Sequence, residues 1–255
     1  MAFAVSGEPY DRFMGRYSRE LAPRLIDYAG LEPGMRALDV GCGPGALAVA
    51  LADRLGATAV AAADPSEPLL AACAERVPGA DVRQAPAEEL PWPDATFDAV
   101  LSQLVLNFVS DADAAVAEMR RVVAPGGIVA SCTWDYAGGM RMLRTFWDAA
   151  RELDPTAPDE LNMRYCSEDE LADLWERAGL DDIGTAQLEV AVEYGGFDDF
   201  WEPFTLAVGP AGAYCASLAP ERREALREGC FGRLGSSAGP FSLNARAFAV
   251  RGTRA

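Results

Sequence analysis

The segment Leu38-Asp39-Val40-Gly41-Cys42-Gly43-Pro44-Gly45 constrains the fold more than any other part of the 255-residue chain. An apolar run enters a turn with glycine at alternate positions, and a helical pattern over 46–55 follows directly. Glycines spaced this way let a ligand approach the backbone, and the helix behind them offers unpaired N–H groups. Asp64 ends the next apolar run about twenty residues on, where an acidic side chain accepts from both hydroxyls of a ribose. Together these features imply an adenosine-bearing ligand. The GxGxG spacing, in place of GxGxxG, points away from a dinucleotide. A carboxylate at Asp39 is unfavourable beside a pyrophosphate and compatible with a cationic ligand.

The same alternation of short apolar runs and helical patterns continues along the chain, which is the signature of strands joined by helical crossovers. Strands are expected over 36–40, 59–63, 81–84, 97–102 and 128–133. Helices are expected over 46–55, from Ser66 as N-cap to just before Pro78, and over 111–124, where Pro125-Gly126-Gly127 stops the last one. Beyond Trp134 helical patterns cover 140–153 and 168–178, an alternating strand covers 188–194, and a last strand covers 241–250. Alternation suits a sheet edge with one wet face, whereas the earlier runs read as strands covered on both faces. The helical stretch 197–234 separates the last two strands and reads as an insertion over the site. With no repeat, low-complexity tract or linker, the chain reads as one domain over 1–255. Its parts are N-terminal cap helices (1–30), a cofactor-binding core (36–134), and substrate-side helical additions (135–180 and 197–238).

Composition removes whole classes of chemistry. All 22 cationic side chains are Arg and there is no His, so Ser-His or Cys-His nucleophiles, His-ligated zinc, Schiff bases and a P-loop lysine are excluded. No metal-ligand set is identified, although an all-oxygen Mg²⁺ site is compatible with the residues present. The net charge of -17 argues against nucleic acid and anionic membrane, both of which require a basic face. A small-molecule partner is therefore expected. Six scattered cysteines without a CxxC pair read as buried thiols of a reducing compartment, and the N-terminus lacks a basic start with an apolar run, so a cytoplasmic location is expected. The oligomeric state is not legible.

At the glycine turn the chain resembles the class I S-adenosylmethionine-dependent methyltransferases, in particular the small-molecule group that carries LDVGCGxG. Three further segments match that family in order: Ala87-Glu88-Glu89-Leu90-Pro91-Trp92, Phe97-Asp98-Ala99-Val100, and Arg120-Arg121-Val122-Val123-Ala124-Pro125-Gly126-Gly127. The resemblance covers about residues 10–133 and thins afterwards, where such families diverge by substrate. It implies a Rossmann-like α/β fold: a seven-stranded, mostly parallel sheet with an antiparallel last strand, helices on both faces and a helical lid. It also implies that Gly41, Cys42 and Gly43 line the methionine end of the cofactor, Asp64 the ribose, Pro65 one adenine face, Ala87 and Glu88 the adenine edge, and that Gln103 faces the sulfonium. Tyr10 and Arg16 sit in a segment that resembles the family's leading helix. Tyr10 would close on the methionine part and Arg16 would pair with its carboxylate; the same segment also fits an amphipathic helix with a solvated arginine.

The chain departs from the family in two places. Pro86 stands where an Asp commonly binds the adenine amino group, which shifts that acceptor role to Glu88, and Asn107-Phe108 stands where a His often follows the fourth strand. On the substrate side, Trp134 and Tyr136 follow the fifth strand, and Gln103, Asn107 and Tyr136 are the candidates for positioning an acceptor. Trp147, Trp175, Trp201, Phe197, Phe200 and Phe204 lie at helical spacing and read as core. Met14 reads as packing, Asp198-Asp199 as helix N-terminal charge, and 221–227 as a solvated helix face. No catalytic residue is assigned. The expected activity is methyl transfer from S-adenosylmethionine to an O, N, C or S nucleophile of a small molecule. The alternatives are a cofactor-binding protein without turnover and an NAD-dependent oxidoreductase.

Overall fold

The computed structural model describes residues 7–236 and 239–255. The first six residues of the expected N-terminal cap, and residues 237–238 at the end of the expected 197–238 addition, lie outside them. Seven strands run in the order β3-β2-β1-β4-β5-β7-β6. They are β1 (Ala37–Val40), β2 (Val60–Asp64), β3 (Asp81–Gln84), β4 (Phe97–Gln103), β5 (Val123–Trp134), β6 (Asp181–Tyr194) and β7 (Phe241–Thr253). The first five pair in parallel, and β7 runs antiparallel to both of its neighbours.

Ten α-helices accompany them among the described residues: α1 (Gly7–Tyr10), α2 (Arg16–Ala29), α3 (Ala46–Leu55), α4 (Glu67–Arg76), α5 (Ala112–Val122), α6 (Arg141–Leu153), α7 (Glu168–Arg177), α8 (Phe197–Trp201), α9 (Gly209–Ser217) and α10 (Pro220–Arg233). A π-turn, Asp11–Gly15, joins α1 to α2. None of these helices is long and apolar enough to cross a membrane.

Each central strand is buried on both faces because successive side chains alternate between two cores. Ala37, Ala62, Leu101 and Ala130 join one core, with Leu21 and Leu25 of α2 and Leu47 and Leu51 of α3. Leu38, Ala61, Val100 and Val129 join the other, with Val116 and Met119 of α5 and Leu171 and Leu174 of α7. The helices between β6 and β7 extend the first core through Phe200, Phe204, Leu226 and Cys230. Trp147, Trp175, Trp201, Phe197, Phe200 and Phe204 are all buried, as their helical spacing implies.

Two strands are longer than their sequence suggests. β5 begins at Val123, but its pairing with β4 jumps from Phe97↔Val123 to Ala99↔Ile128, so residues 124–127 bulge and the regular ladder starts at the expected Ile128. β6 begins seven residues before the expected Leu188, and its polar first half, DDIGTAQ, has β7 as its one neighbouring strand at the edge of the sheet. Asp182 there adopts a left-handed φ of 48° at the register shift between Asp181 and Gly184.

The N-terminal cap docks on this frame through Tyr17, whose hydroxyl shares a hydrogen bond of 2.9 Å with that of Tyr194 on β6 in the buried interior. Tyr17→Phe leaves the Tyr194 hydroxyl without that partner and is expected to cost about 1–3 kcal/mol. Denaturant unfolding checks the value, and a loss within error of zero would show that the pair does not anchor the cap.

Candidate functional site

Strand β1 lies between β2 and β4, so the chain leaves its carboxyl end in opposite directions on the two sides and a crevice opens there. The cavity encloses about 190 Å³, over ten times the roughly 10–15 Å³ that one water needs, and is no packing defect.

Its floor is the glycine turn. Gly41 and Cys42 donate their N–H groups to the Ala63 carbonyl at 2.8 and 2.9 Å, tying the turn to β2. Asp64 Oδ2 accepts from Gly43 N at 2.9 Å, and its Oδ1 accepts from Ser66 N at 2.8 Å. Asp64 therefore braces the turn as well as lining the cavity, and each carboxylate oxygen keeps a further lone pair. Gly41 has a φ of +73°, and a Cβ there would lie 2.5 Å from Val105 Cγ2. Val105 is brought over the turn by Leu104, which leaves β4 at a left-handed φ of 64° and donates its N–H to the Cys132 carbonyl at 2.8 Å. A leucine in that region costs on the order of 1–3 kcal/mol and is found where the surroundings impose it.

The walls carry acid and no cation. Asp39, Asp64, Glu88 and Glu160 line the cavity, and no arginine does among the described residues. Asp39 is 1% exposed, and neither of its oxygens has a hydrogen-bond partner. Burial, reinforced by the charge of Asp64, pushes its pKa up to about 8; the nearby Ala48 N–H opposes this only in part, without forming a hydrogen bond. Gln103 donates Nε2 to the Ser18 carbonyl at 3.0 Å, while its Oε1 is buried and unpaired. Unpaired buried acceptors are costly, and they match a ligand that brings donors and positive charge.

Of the residues singled out in the sequence, Tyr10, Gly41, Cys42, Gly43, Asp64, Pro65, Ala87, Glu88, Gln103, Trp134 and Tyr136 all line this cavity. Arg16 does not. Its Nη2 pairs with Asp199 of α8 at 2.9 Å, it lies over the Tyr194 ring, 4.6 Å from its centroid, and its Nη1 is buried and unpaired, so in the ligand-free protein it clamps the N-terminal cap to α8. Asn107 does not line the cavity either. It stands behind Tyr136 and donates Nδ2 to the tyrosine hydroxyl at 3.3 Å. One oxygen of the Glu88 carboxylate is engaged by the protein: Oε1 accepts from Ser110 N at 3.1 Å, Ser110 Oγ at 2.9 Å and Asp111 N at 3.3 Å, and against a desolvation that would raise its pKa these donors hold it below the usual value. It caps the approach to α5.

Some wall residues carry no sequence signal. Met14, which packs against the core as expected, also lines the cavity, and its Sδ accepts from Trp134 Nε1 at 3.2 Å. Val208, Gly209, Pro210 and Ala211, at the start of α9, close the side formed by the expected insertion. Glu160 comes from the loop between α6 and α7, outside every motif. Asp39 did show as an acid compatible with a cationic ligand, and its unpaired oxygens now make it a candidate contact.

The family model described as "Methyltransferase domain" matches residues 38–131. The chain is 32% identical over 202 residues to the malonyl-[acyl-carrier protein] O-methyltransferase of Geobacter sulfurreducens, covering 76% of this chain and 73% of that protein. It is 31% identical over 184 residues to the ubiquinone/menaquinone biosynthesis C-methyltransferase of Bordetella avium, covering 66% and 72%. In three dimensions it is similar to a putative methyltransferase from an antibiotic biosynthesis pathway of Anabaena variabilis, with a TM-score of 0.62, 20% identity, and coverage of 91% and 98%.

Two outcomes follow from this geometry. Gly41→Ala is expected to abolish binding at the turn, because the new methyl group meets Val105 in a backbone conformation that disfavours it; calorimetry with S-adenosylhomocysteine would show no heat, and retained affinity would mean that the turn relaxes freely. Asp39 has a raised pKa, so its ionisation costs the ligand-free protein nothing below the ordinary value of 3.8 and progressively more up to about 8. Asp39→Asn is therefore expected to be more favourable to the melting temperature at pH 8 than at pH 4, by several degrees. Equal shifts at both pH values would show that Asp39 does not titrate in this range.

Proposed function

Because the chain belongs to the class I S-adenosylmethionine-dependent methyltransferases, with S-adenosylmethionine as cofactor, we propose that it methylates a small, largely apolar acceptor bound beneath the helices between β6 and β7. The observation that carries this reading is the cavity wall itself, which holds four carboxylates and no arginine. Such a wall favours a sulfonium and an ammonium and repels a pyrophosphate or an anionic acceptor. The relatives named above methylate O in one case and C in the other, so the acceptor is argued from the cavity rather than from them.

In this reading Asp39 receives the ammonium of the cofactor, and Gly41, Cys42 and Gly43 bring backbone against its methionine part. The free lone pairs of Asp64 accept from the ribose, and Pro65 and Ala87 give apolar flanks to the adenine. Tyr10 closes over the methionine part, and Gln103 Oε1 faces the sulfonium. When bound, the cofactor supplies a methyl carbon made electrophilic by positive sulfur.

The protein's own contribution is orientation and exclusion of water. Phe108, Trp134, Leu143, Val208 and Pro210 give the acceptor an apolar seat. Tyr136, fixed by Asn107, offers the acceptor a hydroxyl whose pKa burial raises well above its usual value, so it remains a donor at neutral pH. Holding two reactants in line supplies up to roughly 7–11 kcal/mol of the barrier reduction. We read the whole chain as one such domain, with the cap and the helical additions shaping the acceptor end. Six free thiols fit the reducing cytoplasm.

Calorimetric titration with S-adenosylmethionine, S-adenosylhomocysteine and NAD tests the cofactor assignment. The first two are expected to bind and NAD not. Asp64→Asn, which keeps one acceptor oxygen for the brace, is expected to lose about 1.5–3 kcal/mol of affinity, the worth of a charge-assisted hydrogen bond. Unchanged affinity would remove Asp64 from the ribose. Release of S-adenosylhomocysteine with neutral and cationic acceptors, but not with carboxylates, would support the acceptor class, and turnover of carboxylates alone would overturn it.

A further inference from the structure

Glu160 contributes to the acidic wall, but the reading above gives it no role of its own. It lies in the loop between α6 and α7, is 4% exposed, and lines the same cavity as the glycine turn. Two groups on one face of α6 hold it there. Trp147 donates Nε1 to Glu160 Oε2 at 2.6 Å. Arg144, one helical turn earlier, donates to both oxygens of Asp159 at 2.7 and 3.1 Å. Asp159 Oδ1 in turn accepts from the N–H groups of Glu160 and Leu161 at 2.7 and 3.1 Å, which fixes the backbone on both sides of the glutamate's Cα. Among the described residues, no donor is bonded to the second carboxylate oxygen.

If the task were only to satisfy the indole N–H of Trp147, a neutral amide or a carbonyl would do so at less desolvation cost. The chain instead buries an acid in a cavity that Leu143 and Ala211 also line and that, among the described residues, no arginine lines. We propose that Glu160 receives the proton of the methyl acceptor, which makes the acceptor an apolar molecule that presents an alcohol, phenol or amine to this carboxylate. The proposal rests on the methyl-transfer reading above. The acceptor heteroatom bonds to the methyl carbon, the carbon–sulfur bond breaks with its electron pair passing to sulfur, and the heteroatom's proton passes to Glu160.

The electrostatics agree with that role. Burial pushes the Glu160 pKa up to about 7, against the pull of the Trp147 hydrogen bond, which suits a base working near neutrality. The groups that face it are Asp159 and Arg144, which pair with one another, together with Tyr136 and Cys166. Burial raises the pKa of both Tyr136 and Cys166, the latter to about 12, so neither ionises between pH 6 and 8. Asp39, at about 8 in the ligand-free protein, is paired with the cofactor's ammonium in the complex, which keeps it ionised; Glu160 is then the group beside the acceptor that changes charge in that interval.

Three one-ring probes of similar bulk, benzylamine, benzyl alcohol and benzoate, distinguish the outcomes when titrated into the S-adenosylhomocysteine complex. Benzylamine is expected to bind and benzoate not. Its affinity should rise about tenfold from pH 6 to pH 8, following the ionised fraction of a group with a pKa of about 7. Glu160→Gln keeps an oxygen for Trp147, so its melting temperature and its affinity for S-adenosylhomocysteine should hold, while the pH dependence disappears and benzylamine binding falls tenfold or more. Benzoate binding as tightly as benzylamine, a flat wild-type pH profile, or no binding of any probe would each overturn the proposal. The wild-type profile decides the matter even if the variant does not fold. Failure of the wild-type protein to bind S-adenosylhomocysteine would instead strike the cofactor reading beneath it.

Discussion

The site depends on one close approach, that of Val105 to the backbone of Gly41. The side chain that follows β4 lies where a Cβ at residue 41 would stand, 2.5 Å from Val105 Cγ2. This contact brings the exits of β1 and β4 together, and the hydrogen bonds from Gly41 and Cys42 to Ala63 bring in the exit of β2. Asp64 then braces Gly43 and the start of α4 with one carboxylate. The strained Leu104 is the local consequence, because a chain that left β4 in extended conformation would not carry Val105 over the turn. Sequence, backbone conformation and cavity floor are linked at this point.

Arginine has a consistent place in the arrangement. It is the sole basic residue type in the chain, and near the site it acts as a clamp outside the cavity rather than as a ligand within it. Arg12 pairs with Glu202 and Arg16 with Asp199, fastening the N-terminal cap to the segment after β6. Arg76 pairs with Asp11 and donates to the Pro44 carbonyl at 2.9 Å, fastening the cap to α4 and to the glycine turn. Individually, exposed pairs of this kind contribute little. Together they set the register of the cap over the site and leave the cavity wall, among the described residues, without an arginine. The side chains that enclose the ligand space are therefore chemically distinct from those that decide what enters it.

The parts of this account that were legible in the sequence are those in which local chemistry and fold coincide. The glycine turn, the acid ending β2 and the apolar runs of β1, β2 and β4 each demand one conformation, and the helical crossovers between those runs demand a parallel sheet. The first half of β6 was hidden because a polar edge strand such as DDIGTAQ is ordered by its neighbour β7 and carries no apolar pattern of its own. Arg16 and Glu88 are residue types that fit a ligand as readily as a clamp or a cap, and the partners they meet in the fold, Asp199 and Ser110, are distant in sequence for Arg16 and supplied by another loop for Glu88. Glu160 was hidden for the same reason. Nothing in its loop marks it, and it reaches the cavity through Arg144 and Trp147, which present one face of α6 to that loop. Asp39 was visible as an acid in an unusual place, but only the fold shows that it is buried with both oxygens unpaired.

The acidic cavity at the glycine turn, which no arginine lines among the described residues, is built for a positively charged cofactor. A crystal structure of the S-adenosylhomocysteine complex is the decisive measurement. The amino group of the ligand is expected in hydrogen-bond contact with Asp39, its ribose against Asp64, and the space beside Glu160 open for the acceptor. A ligand bound elsewhere, or one that leaves both Asp39 oxygens unpaired while an arginine moves in to hold it, would refute this assignment.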